Sequence, residues 1–495
     1  MRLSHARTMD SVIFEWTRLF SMASNALHTP RRLRVPGAVR IRYMALAMAS
    51  LLAGCANPVP SSAVRSAVPF GGLATVVSDQ APGADPLSQW WQRFNDPLLT
   101  ALVTQALQAN TSVRAAQAAL QQSRALRDVR QASMLPGATA STSAQRNQTD
   151  SGSASSSFRI GLDASWEPDV FGGRNAALSA TESDAQAAQA SLGDVRVSVA
   201  AEVALAYIQL RGLQSQWQIA RNNLASQQET LQLTTWRAQA GLASSLEVEQ
   251  ARAASEQTAA QIPSLQSGQD KTRHSLAVLT GQSPITLNTP LEAVVAIPQA
   301  ADDLALNIPA NTLRQRPDVR AAEHRMEAAL ARVAVADAAQ YPNFSIGGSV
   351  GLNALTLSGL AQGAGTVSAL LASISMPLFD GGATRSQRLA QEAALEQARA
   401  SYQAAVLTAL KDVQDALVTL RHDRDRRAHL RDAAIAASNA ALLAQQRYSS
   451  GLIDFQTVLQ TQRNLLTAQD AAASSSADIS ADHVRLYKAL GGGWN

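Results

Sequence analysis

The sequence predicts an α+β fold written twice along one chain of 495 residues. Three observations predict it. Five segments recur in the same order about 210 residues apart. Each copy holds two stretches in which apolar and polar residues alternate. Each copy then continues into a long proline-free run with heptad spacing.

The recurrence is visible directly. "NTSVRAAQAALQQSRA" at 110–125 matches "RPDVRAAEHRMEAALA" at 316–331, and "MLPGATAS" from 134 matches "QYPNFSIG" from 340. "EPDVFGGR" from 167 matches "MPLFDGGA" from 376, "AQAGLASSLEV" from 238 matches "RYSSGLIDFQTV" from 447, and "LAVLTG" from 276 matches "LYKALG" from 486. Pro136 and Pro342 lie 206 residues apart, Gly172 and Gly381 209, and the pairs Gly241/Gly451 and Gly281/Gly491 both 210.

Before the repeats comes a leader. Arg31, Arg32, Arg34, Arg40 and Arg42 precede a short apolar run from Met44 to Ala53, and small residues precede Cys55, the only cysteine. This is the layout of a secretory signal peptide over 1–54, with Met22 as an alternative start. Leu52-Ala53-Gly54-Cys55 resembles the lipobox of bacterial lipoproteins. That resemblance implies a lipidated Cys55, carrying N-palmitoyl and S-diacylglycerol groups. With Ala56 next, it also implies an outer-membrane destination, and 55–95 reads as a lipidated N-terminal segment.

Charge supports the division. The leader holds eight arginines and two acids, so the rest of the chain carries 34 basic and 36 acidic side chains. The leader thus carries +6 and the rest −2, so the chain's formal charge of +4 comes from the leader and no basic patch remains to support nucleic-acid binding. A single cysteine excludes disulfides and cysteine-rich metal sites within the chain.

Each repeat has one internal order. A helical stretch comes first, near 97–133 and 310–339, rich in residues that favour helix and ended by Pro136 and Pro342. Two strands follow. Phe158, Ile160, Leu162, Ala164 and Trp166 alternate with Arg159, Gly161, Asp163, Ser165 and Glu167. Phe344, Ile346, Gly348 and Val350 share a face, as do Leu370, Ala372, Ile374, Met376 and Leu378. Ser/Gly-rich loops near 149–156 and 353–366 join each pair. Such strands fit a soluble sheet or a membrane barrel.

Long helices come last. Leu192, Val195, Val199, Val203, Ala206, Leu210, Leu213, Trp217, Ala220 and Leu224 step by threes and fours. The spacing predicts a helix over 175–240, a turn at Gly241 and a return to about Gly281, then 384–449, a turn at Gly451 and 455–490. The repeats are therefore 96–281 and 310–495, with 282–309 linking them.

Four strands cannot close a barrel, and open sheet edges are forbidden in lipid. Strands that enter a membrane would have to be shared between chains. Three copies supply twelve strands and twelve helical segments.

Trp90-Trp91 with Phe94, "DPLL" at 96–99, "RPDVRAAE" at 316–323, "PLFDGG" at 377–382 and "LYKALGGGW" at 486–494 resemble the TolC-type outer-membrane factors, in particular the NodT-like efflux lipoproteins. The resemblance covers nearly all of the chain beyond the leader. It implies an α+β membrane protein, a homotrimer whose 12-stranded outer-membrane β-barrel continues into a long α-helical periplasmic tunnel. An equatorial belt would include 282–311 and the chain ends. The implied function is a passive exit duct in the cell outer membrane, fed by an inner-membrane RND-type pump through a periplasmic adaptor. The resemblance assigns adaptor docking to two turns, Gly241, Leu242, Ala243 and Ser244, and Gly451, Leu452, Ile453 and Asp454. It places the periplasmic gate near Gln456, Thr457 and Gln460, with Glu247 from the first copy. Gln460 stands where the family usually has an aspartate, so an acidic ring is not expected there.

No catalytic constellation is present. The histidines beyond the leader (274, 324, 422, 429 and 483) make no metal-ligand spacing, and no glycine loop fits a phosphate cradle. The chain is expected to be no enzyme and to need no metal or cofactor. Type I protein secretion and a purely structural periplasmic coiled-coil lipoprotein are the other readings.

Overall fold

The computed structural model describes residues 89–148, 154–284, 291–300 and 314–492. The signal peptide expected over 1–54, Cys55 and most of the expected 55–95 segment lie outside the described residues, as does most of the expected 282–309 linker.

A 3₁₀ turn, Trp90–Phe94, leads into α1 (Pro97–Ala109) and α2 (Thr111–Ala132). The helical stretch expected near 97–133 is therefore two helices. Asn110 breaks it. Its extended backbone ends α1, its side chain accepts from the Ser112 and Val113 amides of α2, and its Nδ2 donates to the Leu279 carbonyl at 2.8 Å. Capping plus a tertiary anchor overcomes the helical propensity of the flanking residues.

Strands β1 (Gly137–Asn147) and β2 (Ser155–Trp166) precede α3 (Gly173–Gln239) and α4 (Ser245–Leu279). The second copy repeats them as α5 (Pro317–Ala338), β3 (Asn343–Ala354), β4 (Gly365–Ser375), α6 (Ala383–Ser449) and α7 (Phe455–Ala489). Lengths match between copies: α3 and α6 both have 67 residues, α4 and α7 both 35. At 1.5 Å per residue the longer pair extend roughly 100 Å. Met376 and Leu378, expected to continue the β4 face, lie past its end at Ser375, where the chain turns toward α6.

The four strands form one antiparallel sheet in the order β1-β2-β3-β4. The β2–β3 pairing joins the two repeats, with Leu162 opposite Val350 and Ile160 opposite Leu352. Residues directly opposite share a face. One face thus carries Ile160, Leu162, Trp166, Ile346, Val350, Leu352, Leu370 and Ile374, and all of these are exposed. The other face is mainly Ser, Thr, Asn, Gly and charged residues. Strands β1 and β4 are open edges.

Both long outgoing helices start the same way. Gly172 and Gly382 adopt φ of 77° and 88° just before α3 and α6. Asp169 accepts from the Arg174 and Asn175 amides, and Asp380 from the Gly382 and Thr384 amides. An aspartate and a left-handed glycine convert strand into helix at each copy.

Helix α3 is the hub, packing against α1, α2, α4, α5 and α7, while α6 packs on α5 and α7. The main core lies where the 3₁₀ turn, α1, α3 and α7 meet. Trp90 stacks on Tyr487 there at 5.3 Å, and both rings are buried. The heptad residues expected on α3 are all buried or half-buried. At its lower end the buried line passes through Asn223, while Leu224 is half-buried.

Candidate functional site

Three features of this frame bear on function: the two helical turns, a charged cleft at mid-helix, and the exposed sheet face.

The turns are built alike. Gly241 and Gly451 sit at φ of 74° and 73°. Leu242 donates to the Arg237 carbonyl and Gly241 to that of Ala238; Leu452 and Gly451 donate to Arg447 and Tyr448. These are Schellman closures, and the left-handed position favours glycine. Ser244 and Glu247 then form a reciprocal capping box on α4, and Asp454 caps α7 through the Thr457 amide. Leu242 and Leu452 are left 72% and 74% exposed at the two tips.

The turns lie side by side. Arg237 donates to the Tyr448 carbonyl at 2.7 Å and covers the Tyr448 ring. Phe455, Val458 and Leu459 pack with Ala251, Ala254 and Ala444. Among the residues expected near a gate, Gln456 donates to Gln250 across the hairpins at 2.6 Å, and Gln460 donates to Asn464 on its own helix. Glu247 and Thr457 make capping contacts. The Arg237–Tyr448 bridge was missed in the sequence, although Arg237 and Arg447 precede their tip glycines at equivalent positions.

A cleft of about 390 Å³ opens between α3, the start of α5, α6 and α7. Arg316 lies beside it, its guanidinium reaching the carboxylates of Asp318 and Asp412 at 2.7 and 3.2 Å. Asp194 faces the same space, its carboxyl raised by burial first and by Asp318 second. On α7, Asp482 accepts from Arg485 at 2.6 Å. Burial pushes its carboxyl up to about 6, with Asp423 of α6 adding to the rise and Arg485 opposing it.

The linker is held just below. Arg211 and Gln214, buried on α3, donate to the carbonyls of Ala293 and Leu291 at 2.5 and 2.8 Å. Ser480 of α7 donates to the Pro298 carbonyl at 2.7 Å. Arg211 also donates to the Tyr207 hydroxyl, which donates to Asp96 at 2.6 Å. Heptad reading of α3 does not reveal these polar anchors, because they sit among its apolar steps.

No grouping of three or more His, Cys, Asp or Glu among the described residues fits a metal ion. No helix among them is long and apolar enough to cross a membrane.

The family model described as outer membrane efflux protein matches residues 102–282 and 308–492, one stretch for each repeat. The chain belongs to that family. The pyoverdine export outer membrane protein OpmQ of Pseudomonas aeruginosa is 32% identical over 92% of this chain and 97% of its own length. The toluene efflux pump outer membrane protein TtgF of Pseudomonas putida is 29% identical over 92% and 98%. Nodulation protein T of Rhizobium leguminosarum is 29% identical over 84% and 86%. The solved outer-membrane channel OprN is 35% identical, with a TM-score of 0.79 over 86% of this chain and 96% of that one. The fold, with its paired strands and long helical hairpins, is thus that of an outer membrane efflux protein.

Proposed function

We propose that the chain is one protomer of a trimeric exit duct in a tripartite efflux system. Twelve strands from three copies form a barrel in the outer membrane, and the long helices continue it as a periplasmic tunnel. A periplasmic adaptor docks at the two turns, and an inner-membrane RND-type pump supplies the cargo and the energy.

One observation carries this reading: a four-stranded sheet with an exposed apolar face and two open edges stands on helices of 67 residues. An apolar face in contact with water is unfavourable over such an area, and open edges invite pairing. Strands of 11 and 12 residues suit a tilted membrane crossing. Pairing β4 of one copy with β1 of the next removes every edge. The helical layer has free flanks as well, and α6 leaves Leu407, Val418 and Ile435 exposed. The same closure lets α6 pack on a neighbouring copy.

Docking at Gly241–Ser244 and Gly451–Asp454 is supported by their exposure and by their shared position at one end of the helices. Gln456, Gln460, Glu247 and Thr457 lie within the first turns beyond these tips, where a gate would close. Cys55, lipidated, would anchor each protomer to outer-membrane lipid, and a single acyl chain alone gives only marginal binding.

Reconstitution into a planar bilayer tests the duct. We expect discrete single-channel currents from a detergent-dependent trimer; a water-soluble monomer from Cys55→Ser protein would overturn the reading and favour a periplasmic coiled-coil lipoprotein. Co-purification of the adaptor tests the tips. Gly451→Asp and Gly241→Asp together should abolish it, and unchanged capture would remove the docking assignment. Secretion of a large polypeptide through the chain would favour the type I secretion reading.

A further inference from the structure

The seam between α3 and the α6–α7 hairpin changes chemistry along its length. Down to Ala220 its buried steps belong to one apolar cluster, with Leu192, Val199, Val203 and Leu210 from α3 and Val484 and Tyr487 from α7. Below that they are Asn223, Gln227, Thr230 and Thr234, still at steps of three and four and all buried. Asn223 donates to Gln469 at 2.7 Å, and Gln462 donates to Thr230 at 2.8 Å. Gln227 sits one turn from each and is 4% exposed, yet its Oε1 meets no donor. Beside it lies a cavity of about 160 Å³, to which α3 contributes Asn223 and Gln227, α6 Ser438 and Gln445, and α7 Gln462.

We infer that this cavity is a built hydration site, holding ordered water between α3, α6 and α7. The volume accommodates several waters at roughly 30 Å³ each. Amide and hydroxyl groups offer both donors and acceptors, which a bound water needs in numbers of about two to four. No charged side chain lines the space, so an ion finds no counter-charge. A water donating to Gln227 Oε1 satisfies the one buried acceptor in this lining that meets no donor, since buried polar groups are as a rule paired.

The site has a mechanical consequence. When apolar helices part, each exposes surface that water disfavours. When a hydrated amide seam parts, its groups exchange one water partner for another. The α6–α7 hairpin therefore separates from α3 more readily below Ala220 than above it. This rests on the packing within one chain and does not depend on the exit-duct reading.

The test uses the full chain extracted in detergent, followed by hydrogen–deuterium exchange and thermal unfolding. In the wild type, peptides spanning 223–234 and 438–445 should exchange about tenfold faster than those spanning 192–210, given that lower-stability segments open first. Gln227→Met keeps the length of the side chain and removes its polar atoms. It should slow exchange in the lower seam and raise the unfolding midpoint by about 2–4 °C. Ser438→Leu, which fills the cavity from α6, should act in the same direction. A lowered midpoint in both variants with faster exchange would overturn the proposal, because it would mean a dry, satisfied amide cluster. A bound organic mass retained on the wild-type protein in native mass spectrometry, and absent from Gln227→Met, would replace water by a neutral polar solute and overturn it too. Single-channel conductance, measured separately, reports on the duct and not on this site.

Discussion

Arg316, at the entry to α5, donates to the carbonyl of Ala489 at the far end of α7 at 2.8 Å. The same guanidinium holds Asp318 and Asp412, so one side chain ties together α5, α6 and the last turn of α7. A cation at a helix C-terminus also meets the negative end of its dipole. Arg316→Ala should lower stability by about 2–3 kcal/mol, since it strands a carbonyl and exposes two carboxylates to each other. Arg316→Lys should recover less than half of that, because an ammonium lacks the planar fork. Denaturant unfolding of the purified protein measures both.

Tyr207 predicts a smaller effect at the other side of α3. Its phenol is pushed up to about 12, first by burial and then by its bond to Asp96, so it remains a donor at every working pH. Asp96 uses one carboxylate oxygen to cap α1 and the other to accept from Tyr207. Tyr207→Phe should cost about 1–2 kcal/mol. Asp96→Ala should cost more, because the helix cap is lost as well. Thermal melts of the two variants, compared with the double variant, should show less than additive losses.

These polar anchors mark the boundary of what the sequence made legible. The long helices could be placed to within two residues because period, absence of proline and the duplicated glycines all agree over more than 60 residues. Strand faces were legible for the same reason: a period of two is local. Asn110 was not, because its effect depends on reaching Leu279, which is 169 residues away. Arg211 and Gln214 were hidden because the heptad pattern marks Leu210 and Leu213, and burial of a charged side chain depends on which carbonyls the linker presents. The capping box at Ser244 and Glu247 was readable as S-x-x-E. The cleft around Arg316 needed four helices in place before its charges could be seen together.

Asp482 gives a pH prediction. Its carboxyl is raised by burial to about 6, from an ordinary value of 3.8. The folded chain therefore binds this proton more tightly than the unfolded chain does. The stabilisation is fully present below about 4 and is lost as pH rises through about 6. Asp194 and Asp470 are raised in the same direction, so the variant must be compared with wild type at each pH. Asp482→Asn, which cannot ionise, should gain in relative melting temperature between pH 5 and pH 7.5, by about 2–4 °C. An equal difference at both pH values would show that Asp482 does not titrate in that window.

The two glycine classes separate sheet from tip. A Cβ on Gly351 would lie 2.7 Å from the Ile160 carbonyl oxygen and 3.0 Å from the Gly161 Cα, both backbone atoms of β2. Gly351 and Gly161 face each other in the one strand pairing that joins the two repeats among the described residues, so neither strand can retreat without breaking the register. At Gly451 a Cβ meets nothing within 4 Å, and only the left-handed φ of 73° opposes a side chain. Gly451→Ala should therefore cost about 1 kcal/mol and leave assembly intact. Gly351→Val should prevent the β2–β3 pairing and, with it, the barrel proposed above. Heat-modifiable migration on gels, which reports a closed barrel, should persist in Gly451→Ala and disappear in Gly351→Val. Persistence in both would mean that β2 and β3 approach less closely than their glycines require.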